Sequence, residues 1–288
     1  MLKKSFKQLL KVLLVMFFVG LFGSTSAFGQ ITGNNSFSTA YSFGYWQYHS
    51  SGTTILTADK DDAYYSFRIN KGDRIYVYLS FGQEYLNNGL NLQILNSNGS
   101  PKTAIKTMVN INPISNSPFI FENIDGDSNN QTFYIKVNRG TYVGQIVFSI
   151  SMENRIGSSV GTFDFVGTAS NPGNPDILTN PNGVDSSIII MNLTNNSSIP
   201  NGAIVKSITT AGTVTPSKGG ILHKISSSQN NIWYTSSVLG SNYPITVNDD
   251  LEVKKVWSFK YNQKALGAST MKNVKATINY EYDITDGF

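Results

Sequence analysis

The sequence predicts an all-β protein, two β-sandwich domains following an N-terminal signal peptide. Two observations carry the fold class. Beyond residue 30 no window of a dozen residues sets apolar side chains at helical spacing, whereas short alternating runs bounded by Asn, Gly, Pro and Asp recur throughout. Only 14% of the 288 residues are charged, against about 25% in an ordinary soluble domain, and the chain is instead rich in Ser, Thr and the turn residues Asn and Gly, 31 and 25 of them.

Lys3, Lys4, Lys7 and Lys11 precede the apolar run 12–22, which gives way to Gly23-Ser24-Thr25-Ser26-Ala27-Phe28-Gly29. That is the three-part order of a secretory signal peptide over 1–29, with cleavage expected after Gly29 or Ala27. Eleven residues at about 1.5 Å each fall well short of the roughly 30 Å core of a bilayer, which argues against a membrane span. Cleavage removes four of the 22 basic residues and none of the 18 acidic ones, so the mature chain is formally neutral. The net charge therefore supports neither nucleic acid nor an anionic membrane surface as a partner. No Cys follows the apolar run to take a lipid, and 280–288 offers neither a hydrophobic tail nor a basic stop. A released extracellular protein of bacterial type is expected, since exported eukaryotic chains usually carry disulfides.

Within the first domain, 30–156, the clearest strands are 64–69 and 74–79, joined by Asn70-Lys71-Gly72-Asp73. Read as a hairpin, they point Phe67 and Ile69 inward opposite Ile75, Val77 and Leu79. Further strands are expected over 90–95, 132–137 and 145–150, enough for one sandwich. The text then changes at 153–161, and 168–185 gathers Pro172, Gly173, Pro175, Pro181 and Gly183 among asparagines. One of these is expected to be a linker and the other a long loop.

The second domain, 157–288, opens with a strand over 162–166. Others follow at 187–193, 203–208, 221–225, 232–234, 251–261 and 274–282. In the last, Val274, Ala276, Ile278, Tyr280 and Tyr282 alternate with Lys275, Thr277, Asn279, Glu281 and Asp283, which asks for a sheet with one wet face. Trp257, Phe259 and Tyr261 share one face of their strand and are expected in the core.

Three phrases of the first half lie in a known order: Asp61-Asp62-Ala63-Tyr64-Tyr65-Ser66-Phe67, Lys71-Gly72-Asp73-Arg74-Ile75-Tyr76-Val77 and Leu92-Gln93-Ile94-Leu95-Asn96-Ser97-Asn98-Gly99. Phe133-Tyr134-Ile135-Lys136-Val137, Tyr142 and Ile146-Val147-Phe148 complete it. Over 34–151 the chain resembles the bacterial pre-peptidase C-terminal domain. The resemblance implies a small β-sandwich and a non-catalytic accessory module for adhesion to substrate or matrix, sometimes carrying calcium. The chain departs from the family's usual setting in having the signal peptide, rather than a peptidase, ahead of the domain. The second half resembles no known family.

Absence of Cys excludes a disulfide framework, a thiol nucleophile and thiolate metal sites. His49 and His223 are the only imidazoles. Glu84, Glu122, Asp164 and Glu252 are the acidic residues placed for paired-carboxylate chemistry. Asp125-Gly126-Asp127-Ser128-Asn129 spaces oxygen ligands at alternate positions, the opening of a calcium loop, with Asp125, Asp127 and Asn129 as its ligands. The loop's continuation departs from the calcium pattern, with Asn130 at the sixth position and Lys136 at the twelfth. Asp61 and Asp62 form a weaker second candidate. No cofactor is expected apart from such a calcium ion.

If Ile75, Val77 and Leu79 point inward, Tyr76 and Tyr78 point outward, and Tyr64 on the neighbouring strand joins them. Such a row can stack sugar rings or extended peptide, or serve as cross-strand pairs that stabilise the sheet. Tyr45, Trp46 and Tyr48 form a second aromatic cluster, where Trp46 either touches ligand or plugs the sandwich end. The function expected is secreted, non-catalytic binding of extracellular polysaccharide, cell wall or matrix protein. The alternatives are a self-assembling matrix or envelope protein and a secreted hydrolase with its site in the second domain.

Overall fold

A computed structural model describes residues 30–48, 52–217, 219–237, 242–247 and 249–288; the expected signal peptide and His49 lie outside them. The described chain is all-β, without an α-helix, and forms four sheets in two sandwich-like bodies. The two units divide between Asn154 and Arg155.

The first unit contains β1 (Tyr41–Tyr45), β2 (Thr53–Leu56), β3 (Asp62–Ile69), β4 (Arg74–Phe81), β5 (Asn91–Asn96), β6 (Asn110–Ile111), β7 (Pro118–Asp125), β8 (Gln131–Asn138) and β9 (Ile146–Asn154). One sheet runs β1-β3-β8-β5 and the other β2-β9-β4-β7-β6. β1 lies parallel to β3, and the other pairs are antiparallel.

The expected hairpin of 64–69 and 74–79 is overturned, because β3 and β4 belong to opposite sheets. Phe67, Ile69, Ile75, Val77 and Leu79 do face one core, each at most 1% exposed. A hairpin and an arch between sheets give the same alternating pattern, since both turn the apolar faces of two strands toward one interior. The arch is held at its turn. Asp73 Oδ2 accepts from the Asn70 N–H at 2.7 Å and from the indole Nε1 of Trp46 at 2.9 Å. Gly126 and Asp73 are tied by Gly126 N to Asp73 O at 2.8 Å, and a Cβ on Gly126 would lie 1.9 Å from the Asn70 carbonyl oxygen, so only glycine fits. Within the core, the Tyr65 hydroxyl donates to Thr54 Oγ1 at 2.6 Å and joins the two sheets.

β7 escapes the sequence reading. Pro118-Phe119-Ile120-Phe121 is a continuous apolar run rather than an alternating one, because both faces of this part of the strand are covered.

The second unit contains β10 (Ile156–Asp164), β11 (Ala169–Asn171), β12 (Val184–Asp185), β13 (Ile189–Asn192), β14 (Ile204–Thr215), β15 (Ile221–Ser227), β16 (Trp233–Thr235), β17 (Tyr243–Ile245), β18 (Val256–Gln263) and β19 (Ser269–Asp283). One sheet runs β10-β19-β14-β17 with β11 also on β19; the other runs β12-β18-β15-β16 with β13 also on β18. Trp257, Phe259 and Tyr261 are fully buried, and Val274, Ala276, Ile278 and Tyr280 line the same core.

No linker occupies 153–161. β9 runs to Asn154 and β10 begins at Ile156, pairing with β19 from Ile156↔Asp283 to Asp164↔Lys275. β10 is an edge strand whose middle is exposed, so Ser and Gly replace the apolar alternation that would betray a strand. The loop 172–183 is held by its asparagines. Asn171 Nδ2 donates to Val184 O at 2.8 Å, Asn171 Oδ1 accepts from Gly173 N at 2.8 Å, and Asn174 Nδ2 donates to Asn180 O at 2.9 Å.

Candidate functional site

Alternation along β3 buries Ala63, Tyr65, Phe67 and Ile69 and turns Asp62, Tyr64, Ser66 and Arg68 to the opposite face. The register of β3 with β1 and β8 sets Tyr45 beside Arg68 and Tyr64 beside Lys136. The outer face of the β1-β3-β8-β5 sheet is therefore a surface of half-buried tyrosines flanked by charge. The Arg68 guanidinium lies 4.6 Å from the Tyr45 ring centroid, within cation–π range. The Tyr45 hydroxyl donates to Asn130 Oδ1 at 3.2 Å, and Arg68 Nη1 donates to the same oxygen at 3.4 Å.

Lys136 Nζ stands 5.8 Å from the Tyr64 ring centroid and 3.2 Å from Asp62 Oδ2, and Asn138 Nδ2 donates to Asp62 Oδ1 at 2.8 Å. Burial disfavours the Lys136 ammonium, but the Asp62 carboxylate and Tyr64 more than offset it and hold its pKa above the usual lysine value. Tyr134, also on this face, is stacked by Phe37 with ring centroids 4.1 Å apart. Tyr45 and Tyr64 were legible as aromatic candidates in the sequence. Arg68, Lys136 and Tyr134 were missed, because only the registers of β3 with β1 and with β8 set them on the face of the tyrosines.

The expected row of Tyr64, Tyr76 and Tyr78 does not form, because Tyr64 is in one sheet and Tyr76 and Tyr78 in the other. Tyr76 is not displayed to solvent: it is 5% exposed, with its hydroxyl donated to Glu153 Oε2 at 2.6 Å. Burial and then the Glu153 carboxylate push its phenol pKa up. Tyr78 stacks on Phe119 at 4.7 Å, a cross-strand contact of β4 and β7. Trp46 packs against the core and holds the arch turn through Asp73.

The calcium candidate is not assembled. Asp125 faces Arg74 across the β4–β7 pair, Asp127 Oδ2 lies 3.4 Å from Lys102 Nζ, and Asn129 Oδ1 accepts from Lys71 N at 3.2 Å. Three separate cationic or N–H partners draw the ligand oxygens to different neighbours instead of one centre. Asp62, of the second candidate, is taken by Lys136 and Asn138. Among the described residues no group of three or more His, Asp or Glu could hold a metal ion.

The remaining titratable candidates are separately engaged. Asp164 faces Lys275 at 3.4 Å, Glu252 faces Lys255 at 3.2 Å, Glu122 faces Lys106 at 3.6 Å, and Glu84 is exposed. His223 is fully buried, with Nδ1 2.8 Å from Thr210 Oγ1, its ring stacked on Tyr243 at 3.6 Å and edge-on to Phe259 at 5.0 Å. Burial pushes its pKa down to about 3, so the ring is neutral.

No family model matches the chain. A crystal structure of the pre-peptidase C-terminal domain of collagenase from Bacillus anthracis matches over 40% of this chain and 94% of that one, at 12% identity and a TM-score of 0.28. A predicted secreted protein from Eubacterium rectale matches over 89% of this chain and 85% of its own, at 8% identity and a TM-score of 0.37. Among the described residues no helix is long and apolar enough to cross a membrane. In sequence the chain is 46% identical over 271 residues to the uncharacterized protein YbdN of Bacillus subtilis (strain 168), covering 92% of this chain and 93% of that one. At that identity and coverage, the chain belongs to the family of the Bacillus subtilis protein YbdN.

Proposed function

We propose that this is a secreted, non-catalytic binding protein that recognises extracellular polysaccharide, cell wall or matrix protein through the outer face of the β1-β3-β8-β5 sheet. The observation that supports it is the pair of half-buried tyrosines, Tyr45 and Tyr64, each flanked by a cation, Arg68 and Lys136, on a strand-flat surface. A ring fixed by a neighbouring charge presents area to a sugar or peptide at little further entropic cost. Leaving out catalysis is supported by the separation of the candidate groups, with His223 enclosed in the second core and the carboxylates on separate elements.

Co-sedimentation of residues 30–288 with insoluble polysaccharides and purified bacterial walls tests the reading. Tyr45→Ala plus Tyr64→Ala is expected to release the protein from whichever polymer retains it, while Tyr78→Ala leaves retention unchanged. Retention that survives the first pair sinks this face as the binding surface.

The self-assembly alternative has an observation of its own. Among the described residues β10 pairs only with β19, and Gly157 to Phe163 along it carries no charge and no proline, the devices that blunt exposed edges. Concentration-dependent association without added polymer, abolished by Val160→Lys, would favour that alternative.

A further inference from the structure

We propose that the open side of the first sandwich, where the edges of β5 and β7 approach, is a binding site for one neutral sugar ring, with Glu122, Lys106 and Asn110 as its polar contacts. The proposal deepens the binding reading and places a second contact away from the tyrosine face.

β6 pairs with Pro118 and Phe119, so from Ile120 onward no strand among the described residues lies beside the outer edge of β7. The chain 106–110 bridges the gap between the sheets. Lys106 is tied to Leu92 of β5 by two backbone bonds of 2.8 and 3.0 Å, Val109 packs on the core, and Asn110 is fixed by pairing with Phe119. Beneath this strap lies a cavity of about 170 Å³ lined by Lys106, Met108, Asn110, Phe121, Glu122 and Asn123. That is far more than the about 10–15 Å³ one water needs, yet below the about 300–1,000 Å³ of sites that enclose a drug-sized molecule. It has room for one ring rather than a chain.

The polar groups point to the class of ligand. Glu122 sits opposite Val77 in the β4–β7 register, and its side chain is 10% exposed. Its Oε2 is held by a long ion pair to Lys106 Nζ at 3.6 Å without a close hydrogen bond, and Asn110 Nδ2 lacks a hydrogen-bond partner. Buried polar atoms are nearly always satisfied, and a carboxylate oxygen with only a long ion pair beside an amide N–H without a partner, on one cavity, ask for a ligand that both donates and accepts. Lys106 opposes a cation there, and Glu122 opposes an anion. A neutral vicinal diol meets both: one hydroxyl donates to Glu122 Oε2 and accepts from Lys106, and its neighbour accepts from Asn110 Nδ2. Phe121 and Met108 supply apolar walls for the C–H face of the ring.

The test is a titration of isotope-labelled residues 30–288 with D-glucose, D-galactose and N-acetyl-D-glucosamine, read on the Asn110 side-chain amide by NMR. At least one sugar is expected to shift that signal to saturation with a Kd on the order of millimolar, and Glu122→Ala to weaken it by about tenfold or more. Glu122→Gln, which keeps the volume of the side chain, guards against an effect of folding and is expected to weaken binding less than Glu122→Ala. No shift with any of the three sugars overturns the proposal, as does a shift that Glu122→Ala leaves unchanged. Polymer sedimentation that depends on Tyr45 and Tyr64 while Asn110 never responds would sink this site and spare the binding face. Sugar binding at Asn110 without polymer sedimentation would do the reverse.

Discussion

The two units solve the same problem, filling the space between two sheets, with different chemistry. The first is apolar almost throughout, and its central polar bond is the one from Tyr65 to Thr54 between the sheets. The second runs polar groups through its interior. His223 meets Thr210, and the Tyr261 hydroxyl reaches Ser269 O and Ser269 Oγ at 2.9 and 2.8 Å, with Gln263 bonded to Ser269 beyond it. At the rim of the same unit, Asp185 binds Lys224, Lys260 and Asn262, each at 2.8 Å. An apolar core responds to lost volume, whereas a polar one also responds to protons and to single lost partners.

The largest effects come from volume, and they test whether the two units melt as separate bodies. Trp257→Ala empties the centre of the second core and is expected to cost about 3–5 kcal/mol. Scanning calorimetry is expected to show the second unit's transition falling while the first stays in place. A common shift of all the heat absorption would break the comparison at its root.

Acid sharpens it. The folded pKa of His223, about 3, lies below the unfolded value of 6.5, so the unfolded chain takes the proton first. Stability from this residue is complete above the unfolded value and is lost as pH falls toward the folded one, at about 1.4 kcal/mol per pH unit, or about 2 kcal/mol by about pH 5. The groups against the ring are Thr210, Tyr243 and Phe259, none of them charged, so nothing pairs with an imidazolium. In the first unit Glu122 acts in the opposite sense. Burial raises its pKa despite Lys106, so its contribution is greatest at low pH and is lost as pH rises through the raised value. Denaturant melts from about pH 7 to about pH 5 should weaken the second unit, and His223→Asn should flatten that slope.

Smaller effects separate the kinds of polar contact. Tyr65→Phe leaves Thr54 Oγ1 without its partner in an apolar core and is expected to cost about 1–2 kcal/mol, read as a lowered urea midpoint of the first unit. Asp185→Asn removes the carboxylate shared by two lysines. Burial opposes the charge there, but bonds from Lys224, Lys260 and Asn262 win and bring its pKa down to about 2. Because the pair is only part-buried, the loss should be about 1 kcal/mol, and the salt dependence of the second unit's midpoint should fall with it. A loss as large as that of Trp257→Ala would mean that the rim, not the core, holds the second unit together.

Individual residues show how far the sequence could be read. Val274, Ala276, Ile278 and Tyr280 were legible as one buried face, and Trp257, Phe259 and Tyr261 as core, because a two-residue period is local to each strand. β10 was legible only at its end, where the expected strand 162–166 overlaps it, since its exposed stretch of Ser and Gly has no apolar side to show. Asp125, Asp127 and Asn129 had the spacing of a calcium loop, but the cations that engage the two aspartates, Arg74 and Lys102, come from other parts of the chain.

By itself the sequence determined the all-β class and which face of most strands is apolar, because alternation is written into neighbouring residues. Only the tertiary structure decided which sheet each strand joins, and therefore that Tyr64 shares a surface with Tyr45, Arg68 and Lys136 rather than with Tyr76 and Tyr78. The physical reason lies in the turn at Asn70 to Asp73: an arch and a hairpin bury the same side chains, and the choice between them rests on contacts with Trp46 and Gly126, which are distant in the chain.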